Sequence, residues 1–572
     1  MCGIALIICN DAEKLKEYAL QIANRLRHRG PNNYAIIVNK NSAIVHTQLT
    51  IRDASKTTQP LISVEGALSY NGELYNTADY NHILQANNSI NDVHIVQSYI
   101  SELLQKGSKY SQIELEGMFA IIYATANKVF AIRDQFGQKP LYQYQSEDKA
   151  ISILCSEVLP IASCRLNLSI NRNQLAHLLH HHYVSPQDSI FNNIHPLPIN
   201  RQTDLSQKGH YPIILKKYEH TKLKDALTEA IVDIYPSNQI PALALSGGID
   251  SSLIAVMLKD LKLEYNAYSI QSENLNLNGL DTTIINYPND NGEWIMQAIA
   301  AMDEPMIDTA WLNTWLLAKH IAKNNRIVLT GDGADEIFAG YEVYKNYLNT
   351  DVGHYLKFRF RTQLPDYTKR RKSKKQGSVN IEKHLQYNTL FSHSDLNVLG
   401  LPIDFNANLD LRKYYNSLKS VLKLEQNYSL PGNMLAKVDR AYMQHSLEVR
   451  LPYLHGAVVQ YSNSLSINDL INNEKTKKPL RKLLIDLGYE SITKVPKVGF
   501  GLSPNIFIKK PTIDNYFQAL YHNREHIVFK FINFNSFISN FPYMKLDERP
   551  YHYWGIFCLA YWLDTHQDYI QL

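Results

Sequence analysis

Three short stretches carry residues able to do chemistry. The first is the start, Met1-Cys2-Gly3, followed by the apolar run Ile4–Ile8. If Cys2 becomes residue one, it presents a reactive thiol at the head of a strand; the alternative is an ordinary buried strand. The second stretch is Ser246-Gly247-Gly248-Ile249-Asp250-Ser251-Ser252, between an apolar strand and an apolar helix. Adjacent glycines let the backbone approach a ligand closely. Ser251 and Ser252 stand where a helix begins, and free N–H groups with the positive dipole end make an anion site. Asp250 would oppose a phosphate there unless a cation lies between, and Mg²⁺, with its oxygen preference, is the natural ion. The loop lacks the Gly-Lys-Ser/Thr ending of a Walker loop. The third stretch, Thr330 to Tyr341, holds Gly331, Asp332, Gly333 and Asp335 after another short strand. Loops at the carboxyl ends of parallel strands converge on one crevice, so Asp250 and Asp335 would share the magnesium. A Gly/Asp helix cap is the competing reading of this third stretch.

Two textures of sequence must position these stretches. Residues 1 to about 165 read as strands with short turns: Tyr34–Val38, Ser42–Gln48, Ala67–Tyr70, Met118–Ala124, Lys128–Ile132 and Ala150–Cys155. Helical periodicity interrupts them at Glu13–Leu26 and Val93–Leu104. Two stacked sheets flanked by helices fit that pattern. A proline-bearing, extended stretch follows, Tyr183 to Tyr211. Strand then alternates with helix: Leu223–Ile234, Ala242–Leu245, Leu253–Leu261, Tyr265–Ile270, Glu293–Ala301, Asn313–Lys323 and Ile327–Leu329. That alternation implies a parallel sheet. The remainder, to Leu572, reads as mostly helical. The division expected is 1–182, a connecting segment 183–212, and 213–572.

Composition bounds the function. The chain has 572 residues, 45% hydrophobic and 20% charged, with net charge +4, an ordinary globular mix that needs several domains. So weak a charge argues neither for nor against nucleic acid, and the basic run Lys369–Lys375 reads as a solvated loop, so no nucleic-acid partner is expected. The five cysteines are irregularly spaced with no CxxC, which disfavours a disulfide framework or zinc site and suits a reducing, cytoplasmic interior. No apolar run approaches a membrane-spanning length.

The phosphate loop resembles the pyrophosphate loop of ATP pyrophosphatases. The wider pattern resembles the glutamine-dependent asparagine synthetases and their amidotransferase relatives. Its carriers in the first half are MCGI, Arg27–Pro31, Asn71–Asn76, Gly117–Ala120, Arg133–Tyr142 and Ser156-Glu157. In the second half they are the two loops, Asp303-Glu304-Pro305, Lys437–Arg440, Ser446–Leu454 and Pro496–Phe500. The resemblance implies an α+β N-terminal-nucleophile glutaminase domain of stacked sheets. An α/β parallel-sheet ATP-pyrophosphatase domain with a helical C-terminal part follows, and an ammonia tunnel joins the two. It implies that Met1 is removed and that Cys2 attacks the glutamine amide, its own α-amine, with a pKa of about 8, serving as base. Asn71 and Gly72 would form the oxyanion hole, although Asn-Gly alone reads as a turn. Glu73 and Asp92 would hold the glutamine α-ammonium. Ser246, Gly247, Gly248, Ser251 and Ser252 would cradle pyrophosphate, and the main chain near Leu245, Ile270 and Gly331 would hold adenosine. Asp332 would stand at the acyl-transfer point, and Lys497 matches the lysine that reaches the phosphates.

Four departures from the family pattern stand out. Gln48 occupies the place of an arginine that pairs with the glutamine α-carboxylate, and a neutral amide cannot make that contact; Arg52 is the nearest substitute. Asp332 stands where many asparagine synthetases carry glutamate, which opens the identity of the acceptor. The span from Ser246 to Asp332 is short, and the helix usual after the second strand is missing. Val495 and His455 replace a usual arginine and aspartate. The expected activity is asparagine synthesis from aspartate, glutamine and ATP with Mg²⁺. Amidation of another carboxylate (a peptide, sugar acid or secondary metabolite) and a non-catalytic binding relative are the alternatives. A homodimer is allowed.

Overall fold

The computed structural model describes residues 2–51, 59–87, 89, 91–106, 111–206, 209–271, 279–348, 389–403, 418–494 and 500–571. Arg52, Lys497 and the basic run lie outside the described residues.

The first half contains β1 (Cys2–Cys9), β2 (Asn33–Val38), β3 (Ser42–Gln48), β4 (Leu61–Ile62), β5 (Ala67–Leu74) and β6 (Gly117–Ala124). β7 (Val129–Arg133), β8 (Tyr142–Gln145), β9 (Ile151–Cys155), β10 (Ile194–Pro196), β11 (Arg201–Asp204) and β12 (Gly209–Pro212) follow. They form two six-stranded sheets, ordered β10-β8-β9-β1-β3-β2 and β12-β11-β7-β6-β5-β4. The two sheets stack. Between them lie alternate residues of facing strands, among them Ile4, Leu6, Ile44, Ala120, Ile122 and Leu154, all buried. Burying each large aliphatic chain contributes about 1.5–3 kcal/mol, which favours this layering over separate sheets. Helix Val93–Lys106 covers the outer face of the second sheet through Val96, Tyr99, Ile100 and Leu103. Helix Ala12–Arg25 covers the first sheet through Leu15, Ala19 and Ile22, with Asp11 capping its first N–H groups.

The stretch after residue 183 does more than connect. Its strands β10, β11 and β12 extend both sheets, β10 on β8 and β11 on β7.

The second half contains β13 (Ala242–Ala244), β14 (Asn266–Ile270), β15 (Thr283–Ile285), β16 (Ile327–Leu329) and β17 (Glu448–Arg450). All pair in parallel, in the order β15-β14-β13-β16-β17. β13 is central and its neighbours lie on opposite sides, which makes its carboxyl end a switch point where ligands bind. The next sheet strand after β14 is its direct neighbour β15, reached by residues 271–282. β17 departs from the helical expectation for the C-terminal part. Among the described residues no helix is long and apolar enough to cross a membrane.

The halves meet through buried charge. Arg29, fully buried, donates to Glu157 at 2.8 Å and to both oxygens of Asp439 at 2.8 and 3.3 Å. Asp303 caps the helix Val158–Ala162 from across the seam, accepting from the N–H groups of Val158 and Leu159 at 2.7–2.9 Å. Glu304 accepts from Arg440 at 2.8 Å and from the Ile190 N–H at 2.8 Å. Removing one member of so buried a set leaves an uncompensated charge.

Candidate functional site

Cys2 begins β1, opposite Gln48 of β3. Asn71 sits on β5 of the facing sheet, paired with Ala120 of β6, so Asn71-Gly72 lies within a strand, not in a turn. The Cys2 N–H donates to Asn71 Oδ1 at 2.9 Å. That bond directs the amide of Asn71, and its Nδ2 is left as a buried donor with no partner. A buried unpaired donor beside a nucleophile is what an oxyanion hole requires before substrate arrives.

His46 also reaches this place. It lies on β3, two residues before Gln48, and so projects from the same side of the strand. Its Nδ1 meets Ser69 Oγ at 2.9 Å, and its Nε2 is buried without a partner. Burial would raise the Cys2 thiol pKa, but the His46 imidazole and the chain's amino terminus outweigh it and bring it to about 7. A thiol so placed is substantially ionised near neutrality. In the sequence His46 stands beside Thr47 and Gln48 in a strand that also begins with Ser42, so nothing in its spacing marks it for chemistry.

Glu73 follows two residues after Asn71 on the same face of β5. Asp92 is tied to the same strand: its Oδ2 accepts from Tyr70 Oη at 2.7 Å and from the Leu74 N–H at 2.8 Å. Gln48 is half-buried beside Cys2, and its main-chain oxygen accepts from the Asn32 N–H at 3.1 Å. Cys2, Gln48, Asn71, Gly72, Glu73 and Asp92 thus share one end of the sandwich.

The second candidate centre lies at the carboxyl ends of β13, β14 and β16. The loop after β13 turns at Gly247, with φ of +76°, a left-handed conformation open to glycine. Ser246 Oγ meets Ser251 Oγ at 3.1 Å, and the helix Ile249–Asp260 starts at once. Ser252 Oγ is buried without a partner. The third stretch packs directly on this loop. A Cβ on Gly331 would fall 2.9 Å from the Asp250 Cβ and from the Ser251 nitrogen, so only glycine allows the approach. Leu245 and Ile270 are buried at the ends of adjacent strands, where the Leu245 N–H donates to the Tyr268 oxygen at 2.9 Å.

Asp250 and Asp335 do converge, and the group between them is a lysine. Lys477 Nζ lies 2.6 Å from Asp250 Oδ2 and 2.8 Å from Asp335 Oδ1. Burial lowers the lysine pKa, but the two carboxylates raise it further, so it stays charged. The loop after β13 has no lysine of its own, and this one reaches it from the start of helix Lys478–Asp486. Two carboxylates pointing at one cationic position also suit a hard divalent ion with phosphate oxygens completing its shell. Among the described residues, no three His, Cys, Asp or Glu side chains gather as a metal cluster.

Asp332 turns the other way. Its Oδ2 accepts from Thr330 Oγ1 at 2.8 Å. Burial raises its pKa, and nearby Lys437 opposes that rise. Lys437 itself pairs with Asp308 at 3.0 Å. The substitution of His455 for aspartate also has a structural account: its Nδ1 accepts from the Ala457 N–H at 3.2 Å and caps the helix Gly456–Ser464.

Comparison with known proteins bears on both centres. A family model described as asparagine synthase matches residues 222–533, and one described as a glutamine amidotransferase domain matches residues 1–219. A Bacillus subtilis (strain 168) protein named asparagine synthetase (glutamine-hydrolyzing) 1 is 22% identical over 555 residues, covering 87% of each chain. A probable asparagine synthetase of Dictyostelium discoideum is 27% identical over 395 residues, covering 60% of this chain and 66% of that one. Among solved structures, glutamine phosphoribosylpyrophosphate amidotransferase from B. subtilis aligns with TM-score 0.27 and 13% identity over 58% of this chain and 81% of that one, too slight a likeness to carry an argument. The asparagine synthase model alone spans more than half of the residues, and the chain belongs to the asparagine synthase family as an ATP-dependent ligase with its own glutamine amidotransferase domain.

Proposed function

We propose that the chain is a glutamine-hydrolysing asparagine synthetase, converting aspartate, glutamine and ATP into asparagine, glutamate, AMP and pyrophosphate. The observation that carries the reading is the pairing of Cys2 with Asn71, which leaves a buried amide donor beside a thiol of lowered pKa.

In the first half, the Cys2 thiolate attacks the amide carbon of glutamine. The oxygen becomes an oxyanion facing Asn71 Nδ2 and the Gly72 N–H, the C–N bond breaks, and ammonia leaves. Water then hydrolyses the thioester and frees Cys2. Glu73 and Asp92 hold the α-ammonium of glutamine. With Gln48 in place of a cation, the α-carboxylate is held less firmly. In the second half, a carboxylate oxygen of the acceptor attacks the α-phosphorus of ATP, and pyrophosphate departs into the cradle of Ser246, Gly247, Gly248, Ser251 and Ser252. Ammonia attacks the acyl carbon beside Asp332, and AMP leaves. Lys477 and Lys497 offset charge on the phosphates. Asp250 and Asp335 would hold a magnesium ion, which supplies further charge compensation to the phosphate oxygens. The five unpaired cysteines suit a cytoplasmic site of action.

A second reading keeps this chemistry and changes the acceptor. Asp332, one methylene shorter than glutamate and tethered to Thr330, favours it. One assay separates the two. The protein is incubated with Mg-ATP, a panel of carboxylates including aspartate, and either glutamine or ammonium, and pyrophosphate and amide product are followed. Pyrophosphate and asparagine formed only with aspartate support the first reading; turnover with another carboxylate, or none with aspartate, refutes it. Cys2→Ala should lose the glutamine-driven reaction and keep the ammonium-driven one.

A further inference from the structure

Arg450 is fully interior, at 1% exposure, and it makes contacts at both ends of the molecule's chemistry. It closes β17, the edge strand of the parallel sheet, where it pairs in register with Leu329 of β16. Its main-chain oxygen accepts from the Thr330 N–H at 3.2 Å. Thr330 is the residue whose hydroxyl holds Asp332. Its side chain runs the opposite way, into the first half. Nε donates to Glu448 Oε1 at 2.7 Å, and Nη1 donates to the Ile234 oxygen at 2.6 Å, at the end of helix Leu223–Ile234. Nη2 lies 3.5 Å from Glu73 Oε1. Two short anchors fix the plane of the guanidinium, so the third edge meets Glu73 at a set angle.

We propose that Arg450 is a positioning residue for glutamine binding. It sets the carboxylate of Glu73 from the synthetase sheet and links that carboxylate to the loop that carries Asp332. The proposal rests on the functional reading above, in which Glu73 receives the glutamine α-ammonium. Displacement of the Thr330–Asp332 loop when substrates enter the second centre moves the Arg450 main chain, and the rigid guanidinium carries the shift to Glu73. The two centres are then coupled through one residue, with the main chain serving one side and the side chain the other. By linkage, whatever the second centre does to glutamine affinity, glutamine does to the second centre.

Side-chain variants test this because they leave the bond to Thr330 intact. Arg450→Lys keeps the charge but cannot hold all three contacts at once. In glutamine hydrolysis it should raise the glutamine KM roughly tenfold, the loss of one charge-assisted contact. Ammonium-driven pyrophosphate release should keep its kcat and its KM for the acceptor. In the wild type, Mg-ATP with acceptor should shift the glutamine KM, and in Arg450→Met that shift should vanish. An unchanged glutamine KM in Arg450→Lys overturns the proposal. So does an equal loss of the glutamine-driven and ammonium-driven reactions, which marks a merely structural role. If Arg450→Met does not fold, the KM split in Arg450→Lys decides alone. A wild type that hydrolyses no glutamine overturns the functional reading and this proposal together; a wild type that does, with unaltered variants, overturns this proposal only.

Discussion

Acid should destabilise this protein in a window set by a group of buried histidines. His177, His180 and His181 lie on the last turns of helix Arg172–His181, the His181 ring tilted against His177 and edge-on to His180 with centroids 4.5–4.6 Å apart. His180 Nδ1 meets the Phe391 oxygen at 2.6 Å and His177 Nε2 meets Tyr428 Oη at 2.6 Å, so the group sits on the seam between the halves. His552 packs on Phe391, ring centroids 4.7 Å apart, with both ring nitrogens buried and unpartnered. Burial lowers His177 to about 3, His180 to about 4 and His552 to about 3, and it lowers His181 as well. In the unfolded chain each imidazole titrates at about 6.5. Between that value and the folded one, the unfolded state binds more protons, so stability is present above pH 6.5 and is lost as the pH falls toward 4. At pH 5 the loss is about 2 kcal/mol for each imidazole, whatever the folded value, provided it lies well below 5. The three that fall to between 3 and 4, His177, His180 and His552, together cost about 6 kcal/mol, against a typical total of about 5–15 kcal/mol. Denaturant midpoints measured from pH 8 to pH 5 should therefore fall steeply below pH 6.5. His552→Phe, which loses no hydrogen bond, should remove about 2 kcal/mol of that decline. A stability that is level from pH 8 to pH 5, or a decline untouched in His552→Phe, would refute the reasoning.

Two other predictions are more local. Alkylation of the native protein by iodoacetamide should label Cys2 first and reach half its limiting rate near pH 7, because burial raises Cys155, Cys164 and Cys558 while His46 lowers Cys2. His46→Asn should move that midpoint upward, and a midpoint at the free-cysteine value of about 8.5 in the wild type would contradict the arrangement. Lys477→Met leaves Asp250 and Asp335 facing each other without their ammonium, at a cost of about 3 kcal/mol. Added Mg²⁺ should raise the melting temperature of that variant more than that of the wild type; equal response would show that the carboxylates do not form one cation position.

The elements that were legible are those where local pattern and tertiary packing agree. Strand Ser42–Gln48, helix Leu223–Ile234 and strand Ile327–Leu329 fall where the apolar periodicity puts them. β5 runs four residues beyond its expected end because pairing with β6 overrides the turn signal of Asn71-Gly72. β17 was hidden by its charged residues; Glu448 and Arg450 can lie inside because they pair with each other at 2.7 Å and Arg450 also bonds the Ile234 oxygen. At the second centre, glycine spacing marked both loops, and their contact at Gly331 follows from it. Lys477 left no such trace. It stands 227 positions after Asp250, and a lysine before a helix looks like any surface residue until the fold brings it in. His46 was hidden for the opposite reason, since a histidine on a buried strand most often serves packing alone.

The strands β10 to β12 limit how this protein can be taken apart. The chain leaves the first half by adding β10 to one sheet and β11 with β12 to the other, before the helix Leu223–Ile234 begins. A fragment cut at residue 182 would retain Cys2 and Asn71 yet open the β8 and β7 edges, each a row of unpaired backbone groups ready to seize another chain. The Leu115 N–H, which donates to the Ile214 oxygen at 2.8 Å, would lose its acceptor as well. A dissection that aims to keep the first half soluble must therefore carry the chain past Leu215, and a graft of this half onto another enzyme must bring residues 183–215 with it as part of the domain rather than as tether.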